Sequence, residues 1–74
     1  MIHLRRIDPI RNMARYYSVT VQPTLFGEWS LQREWGRIGC AGRLVSTGFG
    51  SETDAVLAMA RVLEVKQRRG YAAS

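Results

Sequence analysis

The sharpest pattern in the chain lies in residues 16–22, where Tyr17, Val19 and Val21 alternate with Tyr16, Ser18, Thr20 and Gln22. A period of two is the mark of a strand with one buried face. Pro23-Thr24-Leu25-Phe26-Gly27 follows. Pro23 ends a ladder and Gly27 tolerates positive φ, so a hairpin is predicted, with Glu28 to Arg37 returning antiparallel. In that second run Trp29, Leu31, Arg33, Trp35 and Arg37 fall on one side, and Ser30, Gln32, Glu34 and Gly36 on the other. Two tryptophans and a leucine thus share a face with two arginines. Either a bulge near Gly36 shifts the phase, or the apolar face grades into a functional rim.

Weaker patterns flank this hairpin. Residues 2–7 read as a short edge strand, since basic side chains on an edge discourage pairing with other chains, and Asp8-Pro9 marks a turn. After Gly39-Cys40-Ala41-Gly42, residues 43–49 form a further strand with Leu44, Val45 and Phe49 as its apolar content. Ser51-Glu52-Thr53-Asp54 then resembles a capping box, opening a helix from about residue 52 to about 69. Ala55, Met59, Val62, Leu63 and Lys66 recur at spacings of three and four, with Val56 and Ala60 widening the stripe. Arg68 and Arg69 suit the negative end of the helix dipole, and Gly70 suits the stop. The predicted fold is α+β: a small antiparallel sheet of about four strands covered on one face by a single C-terminal helix.

Length and charge narrow the options. Seventy-four residues make one domain, 1–74, with a modest core that buries about 60–65% of the unfolded surface. The formal net charge is +5, and every basic side chain except Lys66 is an arginine. Arginine presents a planar fork of donors that fits phosphate, so the excess favours a polyanionic partner. Cys40 is the single cysteine and His3 the single histidine. Neither an internal disulfide nor metal-ligand spacing is available, no metal or cofactor is expected, and a reducing, cytoplasmic home fits. No apolar run reaches the roughly 18 residues of a membrane span, and the start of the chain lacks the apolar segment of a signal peptide. No nucleophile, base or phosphate-loop motif is present, so the expectation is a binding protein rather than an enzyme, with no small-molecule substrate.

Candidate chemistry concentrates at Trp35-Gly36-Arg37. A flat aromatic and a guanidinium at a strand end suit stacking on sugar or base with a reach to phosphate. The alternative is a hairpin corner. Trp29 is expected in the core and Trp35 partly covered, while Cys40 is expected to be a small packing residue. Gly36, Gly39 and Gly42 could hold an anion, though backbone geometry is the commoner reason for such spacing. Lys66, Arg68 and Arg69 with Gly70-Tyr71 bring a second basic and aromatic group.

Together these residues resemble the WGR domain, named for its Trp-Gly-Arg and found beside the catalytic region of DNA-dependent poly(ADP-ribose) polymerases and in short bacterial proteins. Tyr16-Tyr17, Leu31, Arg33, Trp35-Gly36-Arg37-Ile38-Gly39, Gly42, Ala55, Met59, Leu63, Lys66 and Tyr71 fall in the family's order, covering about residues 12–71. The resemblance implies a small antiparallel sheet with one long helix and, in the polymerases, binding at a DNA break. By position, Trp35 would pack on sugar and Arg37 would make a polar contact to nucleic acid or a partner. Lys66 and Tyr71 would flank the same surface. The polymerase pattern has an asparagine just before its aromatic pair; here Ala14 stands near that place and Asn12 two residues earlier, which weakens Asn12 as a phosphate contact. No polymerase catalytic region accompanies the motif, so the resemblance is to the stand-alone bacterial type. The expected partner is DNA, at ends or breaks, with RNA as an option. The expected interface is Trp35, Gly36, Arg37, Arg33, Arg43, Lys66, Arg69 and Tyr71. The alternative is a protein-interaction adaptor or homodimer built on the Trp-Gly-Arg surface.

Overall fold

A computed structural model describes residues 1–73 of the chain. Five strands and one helix follow in order: β1 Ile2–Asp8, β2 Met13–Pro23, β3 Trp29–Arg37, β4 Arg43–Phe49, α1 Glu52–Arg68 and β5 Ala72–Ala73. The sheet is antiparallel with strand order β4-β3-β2-β1-β5, and the helix packs on one face. The α+β expectation holds. The fifth strand is an addition to it, formed where Ala72 and Ala73 pair with Arg5 and Leu4 of β1.

Register decides which residues meet. Tyr17 lies opposite Leu4 on β1 and Trp35 on β3, and Val19 lies opposite Ile2 and Arg33. The buried cluster is Leu4, Tyr17, Val19 and Leu31, with Met59, Val62 and Leu63 of α1 packed against it. Burying four such side chains contributes about 1.5–3 kcal/mol each, the main favourable term a domain of this size has. Two expected details change. Val56 and Ala60 face solvent, and Ala58 joins the stripe instead, because the helix presents the 55-58-59-62-63-66 arc to the sheet. Trp29 is half-buried and stands outside the core contacts, whereas Trp35 packs on the core cluster.

Both helix ends are set by local chemistry. The Ser51 hydroxyl accepts from the Asp54 amide at 3.2 Å, satisfying one orphan donor of the first turn. At the other end Gly70 adopts φ 95°, and the Tyr71 amide donates back to the Lys66 carbonyl while the Gly70 amide donates to Gln67. This paired closure turns the chain sharply and lays Tyr71 over the end of the helix. The hairpin between β1 and β2 works similarly: the Asp8 carboxylate accepts from the Ile10 and Arg11 amides, and Asn12 takes φ 53°. Thr24 organises the next hairpin, its hydroxyl accepting from the Phe26 and Glu28 amides.

Candidate nucleic-acid interface

Strand pairing brings the aromatic residues into one stack. Tyr17 and Trp35, directly opposite on β2 and β3, lie 5.9 Å apart at 17°, and Tyr71 meets Tyr17 edge-on at 6.3 Å. Lys66, on the last turn of α1, places its Nζ 4.8 Å from the Tyr17 ring and 5.6 Å from the Tyr71 ring. Arg33 places its guanidinium carbon 5.8 Å from the Trp35 ring. Cations over aromatic faces are held by the ring quadrupole and stay available on their outer side. Tyr17, Arg33, Trp35, Arg61, Val62, Val65 and Lys66 line a groove of about 290 Å³ between helix and sheet.

Arg33 is a charged residue, half-buried, on the helix-covered face of the sheet. Its neighbours across the sheet are Val19 and Val45, and its Nε is buried with no hydrogen-bond partner. Burying a guanidinium donor unpaired is costly. Lys66 is strained in the same sense: burial, then the charges of Arg69 and Arg33, lower its pKa from the usual lysine value. For Tyr17, burial raises the phenol above its usual value, outweighing the opposing effect of the Arg33 guanidinium. The groove is therefore an aromatic floor with cations whose charge the protein alone does not fully compensate. An anion there would supply what is missing.

The expected residues assemble unevenly. Arg43 is the cross-strand partner of Trp35, and Arg37 lies two residues on along the same face of β3. Arg69 closes the helix beside Lys66. Gly36 faces the other side of the sheet, under the Tyr16 ring. Its role is spatial: a Cβ on Gly36 would come within 2.9 Å of the Gly42 backbone, and one on Gly42 would collide with the Tyr16 hydroxyl and the Trp35 carbonyl oxygen. The glycines thus let the loop 38–42 fold tightly onto the end of β3. Cys40, expected to pack, is exposed on that loop. The tight turn linking the Cys40 amide to the Arg37 carbonyl holds it away from any core. Asn12 has a conformational reason to be there, its left-handed φ, and it also lines a depression with Arg11, Arg15 and Arg37.

Arg61 on the groove wall and Arg11 in that depression were not among the expected residues, and neither were Arg6 and Arg15. Arg6 lies opposite Arg15, and Arg15 opposite Arg37, so three arginines form a rank across β1, β2 and β3. The rank lies two residues beyond the Leu4, Tyr17 and Trp35 row on the same face, which is about 7 Å along the strands. Arg6 rests against the helix end, its Nε 3.4 Å from where a Gly70 Cβ would stand. The alternation in residues 13–16 could have flagged Arg15, but only the register shows that it meets Arg6 and Arg37.

Fold and site together describe a small α+β domain with a basic, aromatic surface at the helix C-terminus. The WGR domain family model matches residues 1–74, and the chain belongs to the WGR domain family. It is also 47% identical over 70 residues to the uncharacterized protein y4dW of Sinorhizobium fredii. That match covers 95% of this chain and 34% of the relative, so the chain spans about a third of the relative's length. No solved structure matches it. No helix among the described residues is long and apolar enough to cross a membrane.

Proposed function

We propose that the chain is a non-catalytic nucleic-acid-binding module, with DNA as the principal ligand, and that the groove beneath α1 is where a strand is gripped. The observation that carries this reading is Arg33: a half-buried arginine on the helix-covered face of the sheet, its Nε buried and unpaired, beside an aromatic stack and a lysine whose positive charge is disfavoured. Sugar or base packs on Trp35, and phosphate engages Arg33 and Lys66. Arg37, Arg43, Arg69 and Tyr71 surround that contact, and Gly36 shapes it. Contacts of this kind go to backbone rather than base edges, so binding is steep in salt and indifferent to sequence.

Fluorescence anisotropy against nicked, blunt-ended and single-stranded DNA and single-stranded RNA, at two salt levels, tests the proposal. Binding at low salt that weakens at high salt, and that Lys66→Met lowers about tenfold, is the expected result. Absence of binding at low salt contradicts it. A second reading rests on β4, whose outer edge of seven residues has no partner strand among the described residues and carries only Arg43 as a charge. Such an edge accepts another strand, from a second copy or a different protein. Sedimentation of the nuclease-treated protein separates the two: a monomer favours the nucleic-acid module, a dimer the pairing edge.

A further inference from the structure

We infer that the cross-strand rank of Arg6, Arg15 and Arg37 is a second phosphate-binding strip, which takes the backbone of the strand as it leaves the Trp35 groove. The inference rests on the nucleic-acid reading of that groove and adds a path to it. Like charges placed directly opposite on neighbouring strands oppose sheet formation, and here the opposition occurs twice in succession. At the usual strand spacing the three Cα positions span only about 10 Å. Among the described residues no carboxylate pairs with any of the three: the ion pairs are Asp8 with Arg11 and Glu64 with Arg68. Asp8, the nearest acid on β1, is further occupied by the Ile10 and Arg11 amides.

Position gives the rank its ligand. It shares the face of Tyr17 and Trp35 and lies about 7 Å from them, so a polymer with regularly spaced anions reaches both sites at once. A mononucleotide held in the groove cannot. Arg11, Asn12, Arg15 and Arg37 extend the strip into a depression of about 290 Å³ at the β1–β2 turn. The ligand class is therefore a phosphodiester chain of several residues. A free polyphosphate shares the charge and lacks the sugar and base.

The test compares the wild type with the Arg6→Gln/Arg15→Gln double variant and with Arg5→Gln, which removes charge from the opposite face of β1. A labelled single-stranded 12-mer and a dinucleotide are titrated across 50 to 200 mM salt. The double variant is expected to bind the 12-mer at least tenfold more weakly at 50 mM, with a log–log salt slope shallower by about 1.4, since each phosphate contact on a single strand contributes about 0.7. Its dinucleotide affinity stays that of the wild type, and Arg5→Gln changes neither ligand by more than about twofold. A double variant that retains wild-type 12-mer affinity and slope overturns the strip while leaving the groove intact, as does an Arg5→Gln loss of equal size. A wild type that binds no 12-mer removes the underlying reading instead. In competition, polyphosphate is expected to displace the 12-mer less effectively per phosphate than unlabelled DNA; equal potency rejects a nucleic-acid path. Melting curves confirm folding, and the double variant is expected to melt no lower than the wild type at low salt.

Discussion

Arg33 sets the tension between folding and binding at the level of single residues. With Val19 and Val45 as its cross-strand neighbours, Arg33 carries a cost an apolar side chain of similar size would not, because its buried Nε has no acceptor. Arg33→Met is expected to leave stability unchanged or raise it, and to weaken nucleic-acid binding about tenfold, measured by urea unfolding and by anisotropy. Lys66 gives a pH signature. Its folded pKa is lowered, so between that value and the ordinary lysine value the unfolded chain holds more protons, and stability rises with pH across that window. Binding to phosphate requires the cation, so affinity falls as pH climbs through the lowered value. Lys66→Arg, charged throughout, is expected to abolish that alkaline fall in a titration series. Arg33 was legible in sequence on a face it shares with two tryptophans, a leucine and Arg37, and Lys66 as the charged member of an apolar stripe. Their discomfort was not, since it depends on the residues that register and helix docking bring beside them.

At the scale of elements, the helix closure both ends α1 and builds the site. Gly70 at φ 95° allows the Tyr71 amide to return to Lys66, and so holds the Tyr71 ring near Nζ. Gly70→Ala is expected to cost about 1 kcal/mol in stability and also to weaken binding, because it unseats Tyr71. Ser51→Ala, at the other helix end, is expected to cost about the same stability with binding unchanged. Chemical denaturation and anisotropy on the two variants separate closure from capping. These end signals are short-range chemistry, which is why the helix could be placed from sequence. The fifth strand could not: Ala72 and Ala73 carry no alternation, and their pairing exists because the turn at Gly70 delivers them to the free edge of β1. The early start of β2 at Met13 has the same kind of origin, since the left-handed Asn12 completes the hairpin that aligns β2 with β1 from Asp8 onward.

The whole molecule distributes its charge unevenly. Glu52 and Asp54 open α1, and Glu28 precedes β3 at the same end of the sheet, while Arg6, Arg15, Arg37, Lys66 and Arg69 gather at the other, where Asp8 and Glu64 are taken up by Arg11 and Arg68. A field of this shape steers a polyanion toward the helix C-terminus, and its effect is screened by salt. Opposite salt responses are therefore expected: rising salt from low ionic strength relieves repulsion in the arginine rank and raises the melting temperature, while binding weakens, as thermal scans and titrations over the same series would record. The net charge of +5 pointed to a polyanion, but its division between two ends depends on topology. The most direct test of the groove as the gripping site follows the Arg33 side-chain Nε–H and the Trp35 indole N–H in a ¹⁵N-correlated NMR titration with a single-stranded oligonucleotide. Both resonances are predicted to shift together and saturably, with Arg33 Nε–H moving as it gains an acceptor. Shifts confined to the uncovered face, around Tyr16 and Glu34, with Arg33 and Trp35 unmoved, would contradict the account.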